Sequence, residues 1–260
     1  MTLTYWNYLK LDTLLNLQES QSSPPEHDEL LFIIIHQTYE LWFKLLLHEV
    51  DKIKRDFAAN DLYGAIATFK RARTVMKTLV EQVDILETMT PMSFSSFRDR
   101  LDTASGFQSA QYRELEFLLG YKRGAMLEHH ADGSPRRAEL ERRLREPSLV
   151  DAFYDFLELN GVAIPDELRQ RDLTLPAIPD ERVQDGLLHL YETQPSLTIL
   201  FELMTDFDEG LQEWRYRHVK LVERTIGKKH GTGGSLGVEF LKKSLFLPAF
   251  PDLWSIRHRM

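Results

Sequence analysis

Apolar side chains recur along most of this chain at helical spacing, and period-two alternation never persists beyond a few residues. Two seams are strict. Ala65, Phe69, Ala72, Met76, Leu79, Val83 and Leu86 step by four and three, and so do Leu200, Met204, Phe207, Leu211, Trp214, His218, Leu221 and Thr225. That rhythm belongs to helices packed lengthwise on neighbours. It predicts long helices over about 61–89 and 196–226, the second stopped by Gly227. Lys70, Arg71, Arg73 and Lys77 mostly point away from the first seam and are expected to be solvated.

The remaining elements follow from breaks. A first helix is expected over about 5–18, ended by Ser22-Ser23-Pro24-Pro25. Acidic Glu26, Asp28 and Glu29 then open a long helix to about 57, with their charge on the favourable end of its dipole. Residues 30–35 are apolar all round, which predicts burial on every side. Pro91 is expected to help end the 61–89 helix, leaving 94–98 between helices. Helical stretches are expected over 106–122, 148–159 and 238–246, with an Arg-rich polar segment at 135–146 and a connector at 165–179. The expected fold is all-α, a single-domain helical bundle over 1–260, with a peripheral helical insertion at about 130–180.

Composition narrows the chemistry. A net charge of -8 argues against nucleic acid as a partner, since phosphate backbones select a basic face. With no cysteine, the chain cannot form disulfides, iron–sulfur clusters, thiolate-held zinc or haem, or covalently attached haem. Any metal must be held by His or by oxygen ligands. The first residues carry neither a basic stretch nor a long apolar run, and 30–35 is too short to cross a bilayer. A cytoplasmic protein without a membrane span is expected.

His218 occupies a seam position whose helical neighbours are apolar except Thr225. A lone seam histidine is ordinarily a packed core residue hydrogen-bonded to another side chain. The sharper reading is a metal ligand, because haem needs one axial imidazole in an apolar pocket. His36, one turn from Phe32 and two from Phe43, carries the same two readings on another helix. Other metal sites fit poorly. No histidine has a Glu three positions before it, as a di-iron bundle requires. His27-Asp28-Glu29 sits at a helix start where acids cap, His48-Glu49 lacks a second His, and His129-His130 lies in a polar loop where solvation is expected. Arg98, just after two Phe residues, is either a surface residue or a carboxylate clamp in an apolar wall. Gly231-Thr232-Gly233-Gly234 follows a helix and lacks the Lys-Ser/Thr ending of a phosphate loop, so it is expected to be a flexible loop that can close over a ligand.

Six blocks together resemble the tryptophan 2,3-dioxygenase family. They are residues 5–12 (YWNYLKLD), 32–42 (FIIIHQTYELW), 94–98 (FSSFR), 104–109 (ASGFQS), 214–219 (WRYRHV) and 231–234 (GTGG), in order from the N-terminus. The resemblance implies haem b held between long helices, with His218 as axial iron ligand and His36 as the distal catalytic group accepting a hydrogen bond from the indole N–H. It further implies Phe32 and Phe94 as walls around the indole, Arg98 on the substrate carboxylate and Thr232 on its ammonium, with Ser105 and Gly106 near bound oxygen. Tyr5 and Tyr8 would reach a neighbouring subunit's pocket in a homotetramer, a dimer of dimers. The implied reaction joins O2 to L-tryptophan to give N-formylkynurenine. A haem monooxygenase of an indole or other aromatic amino acid on the same scaffold, or a non-catalytic haem sensor, would carry the same axial His.

Overall fold

The two seams pack against a common partner. In the computed structural model, which describes residues 2–227 and 238–260, α4 (Leu62–Leu86) lies between α3 (His27–Ala58) and α11 (Pro195–Ile226), its two most extensive neighbours. All seven residues of the α4 seam are buried. So are Leu200, Met204, Phe207, Leu211, Trp214 and Leu221 of the α11 seam. Phe57, Phe69, Phe153, Phe156, Phe207 and Phe250 are fully or nearly fully buried at the bundle's centre, with neighbouring rings about 5–6 Å apart.

Local chemistry sets the ends. Asp61 caps α4 by accepting from Gly64 N–H, and α11 begins with Pro195 and stops at Gly227, whose φ of 61° suits glycine. Thr90 caps α5 (Pro91–Arg98) by accepting from Ser93 N–H. Pro91 therefore opens a helix as well as following one, and residues 94–98 are helical rather than a connection. The expected first helix is two short ones, α1 (Tyr5–Leu9) and α2 (Leu11–Leu14), separated by Lys10 at φ 56°. Neither buries a residue.

Three further expectations change. Of residues 30–35 only Ile35 is buried; Leu30 and Ile34 are exposed, because this half of α3 is covered on one side only. By length and composition α3 could cross a membrane, with a window of mean hydropathy 1.4, yet its later half enters the core through Leu46, Val50, Ile53 and Phe57. Arg71 and Arg73 are not simply solvated: they reach across to Glu49 of α3 and Asp206 of α11.

Residues 130–180 are only partly peripheral. α6 (Ala110–Leu118) and α7 (Pro135–Arg145), the latter continuous with the Arg-rich segment, share a small satellite cluster of Phe117, Met126, Leu140 and Leu144. By contrast α8 (Leu149–Leu159), capped by Ser148, buries Phe153, Tyr154, Phe156 and Leu157 in the main core. After a one-turn α9 (Asp166–Arg169) comes α10 (Glu181–Thr193), a helix the pattern does not predict. Its interior glycine, Gly186, weakens helix propensity but serves packing: a Cβ there would lie 2.3 Å from a Val162 methyl. The chain closes with α12 (Val238–Lys242) and α13 (Pro251–Ser255). Among the described residues there is no strand.

Candidate functional site

The bundle opens at one end, where the first half of α3 and the last third of α11 flank a cavity of about 550 Å³. α3 presents Phe32, His36, Tyr39 and Phe43, a single face at four- and three-residue steps. α11 presents Trp214, His218, Leu221 and Thr225 in the same rhythm. Val83 and Leu86 of α4, Phe94 and Arg98 of α5, and the 104–109 segment complete the nearer walls.

His218 is enclosed by protein yet keeps accessible surface, because its ring opens into this cavity. Burial drives its pKa down to about 4, with smaller contributions from nearby His36 and Arg113. The ring is thus neutral at physiological pH, the state a metal ligand requires. Trp214, one turn earlier, stacks on it with centroids 5.4 Å apart and planes 7° from parallel. That contact fixes the imidazole's attitude across the cavity.

His36 is exposed toward the cavity, yet desolvation by the protein packed around its ring pushes its pKa down despite opposing contributions from the Phe32 carbonyl and Glu40. Its Nδ1 lies 2.7 Å from the Phe32 carbonyl oxygen. A carbonyl only accepts, so Nδ1 carries the proton and Nε2 keeps its lone pair. The Phe32 ring packs 4.1 Å from His36 and 5.7 Å from Phe94, with buried Phe97 behind both phenylalanines. The result is an aromatic slot with one hydrogen-bond acceptor. Arg98 ends α5 at the same cavity.

Ser105 caps the short 3-10 turn Gly106–Gln108 by accepting from Phe107 N–H at 3.3 Å. A Cβ at Gly106 would meet no atom of the described residues within 4 Å, so glycine leaves open space on this wall.

The sequence reading missed the charged wall. Glu116 is buried among Arg113, Arg123 and Arg215, all of which line the cavity. Burial would raise the Glu116 carboxyl, but these guanidiniums outweigh it and hold it below the usual range. Three cations face one anion. Among the described residues, the buried Nε atoms of Arg113, Arg123 and Arg215, Nη2 of Arg215 and Nε1 of Trp214 have no hydrogen-bond partner. Such orphaned donors suit an anionic ligand, and the carboxylates of a porphyrin meet that description. The apolar slot, the neutral imidazole and the donor-rich wall together fit haem. Arg113 and Glu116 sit at the spacing of an ordinary surface ion pair, so only the fold distinguishes them.

Of the sequence-derived candidates, Phe32, His36, Phe94, Arg98, Ser105, Gly106 and His218 converge on this cavity. Tyr5 and Tyr8 do not: both are exposed on the N-terminal arm. Thr232 lies outside the described residues. His130, expected to be solvated, is buried, while His129 packs 5.2 Å from Phe107. Among the described residues no group of three or more His, Asp or Glu could hold a metal ion.

A family model described as tryptophan 2,3-dioxygenase matches residues 1–176 and 178–260. Proteins named tryptophan 2,3-dioxygenase are similar along nearly the whole length. The one from Herpetosiphon aurantiacus is 54% identical over 255 residues, covering 98% of this chain and 97% of the relative. That from Anaeromyxobacter sp. is 48% identical over 255 residues, covering 98% and 95%. That from Kineococcus radiotolerans is 43% identical over 258 residues, covering 98% and 90%.

Proposed function

The chain belongs to the tryptophan 2,3-dioxygenase family, and from that premise we propose that the cavity between α3 and α11 is where haem and L-tryptophan meet. The activity is that of the family: an oxidoreductase that uses O2 to convert L-tryptophan to N-formylkynurenine, opening the indole C2–C3 bond. The family is haem-dependent. We assign haem b to this chain: His218 would hold its iron, and Arg113, Arg215 and Trp214 Nε1 would take its propionates. Such a haem would supply ferrous iron for the chemistry with O2.

The protein's own part is placement. Phe32 and Phe94 hold the indole flat in the slot, and His36 Nε2 accepts the indole N–H, which fixes which ring edge faces the haem. Arg98 clamps the substrate carboxylate through paired hydrogen bonds. Thr232 is assigned to the ammonium group. Ser105, whose oxygen already accepts from Phe107 N–H, has its hydroxyl proton left to donate on the oxygen side, and Gly106 leaves room beside it. Apolar walls exclude bulk water, so both oxygen atoms stay with the substrate. The observation that carries this reading is the pair of neutral imidazoles, from α3 and α11, facing one cavity.

The exposed arm fits an assembly. Tyr5, Trp6, Tyr8 and Leu9 present apolar surface that the described residues leave exposed. We assign the molecule as a soluble cytoplasmic homotetramer, a dimer of dimers, in which Tyr5 and Tyr8 reach a neighbouring subunit's cavity.

The test is a single turnover. Anaerobically reduced protein is mixed with L-tryptophan and then 18O2, and the product mass is read. N-formylkynurenine with two labelled oxygens is expected. A product with one labelled oxygen would show a monooxygenase, and tryptophan left unchanged would show a haem protein without this chemistry.

A further inference from the structure

One side chain in the cavity wall joins two elements that the proposed reaction must hold in register. Glu40 lies one turn after His36 on α3. Its Oε1 accepts from the Ser109 hydroxyl at 2.5 Å, and its Oε2 accepts from Gln111 Nε2 at 2.8 Å. The second proton of Gln111 Nε2 goes to the Glu40 backbone carbonyl at 2.9 Å. Ser109 in turn caps α6, its oxygen accepting from Tyr112 N–H at 3.2 Å. Every donor and acceptor in this chain of contacts has an assigned role, and each points one way.

These bonds stitch the segment carrying Ser105 and Gly106 to the helix carrying Phe32 and His36. Beyond these bonds the segment is held through Phe107, whose ring packs on His129, Phe240 and the Arg113 guanidinium. It holds only one three-residue 3-10 turn, and Ser105, Phe107 and Ser109 are at most half-buried. Segments with little buried surface open more readily than the packed helices around them, so the bonds to Glu40 carry the α3 side of this wall's placement.

We propose that Glu40 is a positioning residue for the reaction: through Ser109 and Gln111 it sets the separation between His36 and the Ser105–Gly106 wall. The inference rests on the placement of haem and tryptophan given above. It predicts that the tether, and not merely a negative charge near His36, sustains turnover. Replacing Glu40 by Gln leaves a single acceptor oxygen, so Ser109 and Gln111 can no longer both donate to this side chain. Exchanging the two residues, Glu40→Gln with Gln111→Glu, restores the donor–acceptor pair between the side chains and moves the charge off α3, giving up only the bond from position 111 to the residue-40 carbonyl.

The experiment compares the haem-loaded wild type, E40Q and E40Q/Q111E by two readouts. Hydrogen exchange of the 105–112 amides reports the tether whatever the reaction, and steady-state kinetics with L-tryptophan report its use. In E40Q the expected result is at least tenfold faster exchange over 105–112, with α4 unchanged. A fall in kcat of about 10- to 100-fold is expected, as a misplacement of about an ångström costs. KM should move less than about threefold, because the substrate's own contacts remain. The exchanged pair should recover slow exchange and most of kcat. Unchanged exchange in E40Q would overturn the tether itself. Faster exchange with wild-type kcat would overturn its role in positioning. A kcat loss that the exchanged pair fails to recover, despite restored slow exchange, would assign the effect to charge at position 40 instead. Absence of turnover in the wild type, with the exchange pattern as expected, would count against the functional reading rather than the clamp.

Discussion

His36 Nδ1 donates to the Phe32 carbonyl oxygen at 2.7 Å, one turn back on the same helix. This bond settles which nitrogen faces the ligand: Nε2 enters the cavity with its lone pair exposed. An imidazole so presented accepts an indole N–H while neutral and cannot once protonated.

The sign of the pH dependence follows. Burial depresses the His36 pKa below the ordinary imidazole value of 6.5, so the neutral acceptor persists at pH values where a solvated histidine is largely charged. The acid limb of kcat/KM for L-tryptophan is therefore expected below the 6.5 of an ordinary imidazole. His36→Ala should keep its haem and lose only part of its activity, along with that limb. A limb at or above pH 7, or one unchanged in His36→Ala, would remove His36 from this role.

Arg98 is expected to discriminate by carboxylate. Truncating one partner of a buried charged pair costs ~2–5 kcal/mol, which at its low end is roughly a 30-fold loss of affinity. Arg98→Ala should weaken L-tryptophan binding by at least that factor while changing the binding of tryptamine, which lacks the carboxylate, by little. Titration of the haem spectrum with each ligand checks this. Equal losses for both ligands would mean that Arg98 supports the wall without touching the carboxylate.

Gly106 offers a test of the oxygen side that does not disturb the fold. Its φ is not in the left-handed region, and an added methyl meets open space within the protein. Gly106→Ala should leave thermal stability within about 0.5 kcal/mol of wild type, as substitutions away from packed features do. Its methyl would occupy the volume assigned to bound oxygen, so turnover should fall and the O2 complex should form more slowly. Stopped-flow mixing with O2 reads the second effect; wild-type formation and turnover would place oxygen elsewhere.

The donor-rich wall makes a parallel prediction for the cofactor. Arg113 contributes an orphaned buried Nε, and Glu116 would keep Arg123 and Arg215 without it. Losing a charge-assisted hydrogen bond costs roughly 1.5–3 kcal/mol. Arg113→Met should therefore release haem to apomyoglobin about 10- to 100-fold faster, with helicity by circular dichroism unchanged. Wild-type release would leave the propionates to other donors.

What could be read from the sequence was whatever repeats. The seams of α4 and α11 gave both helices to within a few residues, because burial along a bundle imposes a period on the chain. His36 and His218 stood out as polar interruptions of apolar faces. The charged wall did not, since Arg113, Glu116, Arg123 and Arg215 come from separate stretches and each looks like a surface charge until the fold gathers them. α10 escaped notice because Gly186, required by the close approach of Val162, lowers helix propensity at its middle. The run at 30–35 misled in the other direction. Its hydrophobicity is real, but the described residues cover only one side of it, as the assembly proposed for the arm would require.

The central claim is that the buried, neutral ring of His218 is what holds haem iron in this cavity, and one spectrum tests it most directly. His218→Ala and wild type are expressed with added haem precursor, purified, reduced anaerobically and compared by absorption. The account predicts a five-coordinate, imidazole-ligated ferrous spectrum in the wild type and its loss in His218→Ala, either through absence of haem or through recovery of ligation only on adding free imidazole. A variant that keeps full haem content and the wild-type ferrous spectrum would contradict it.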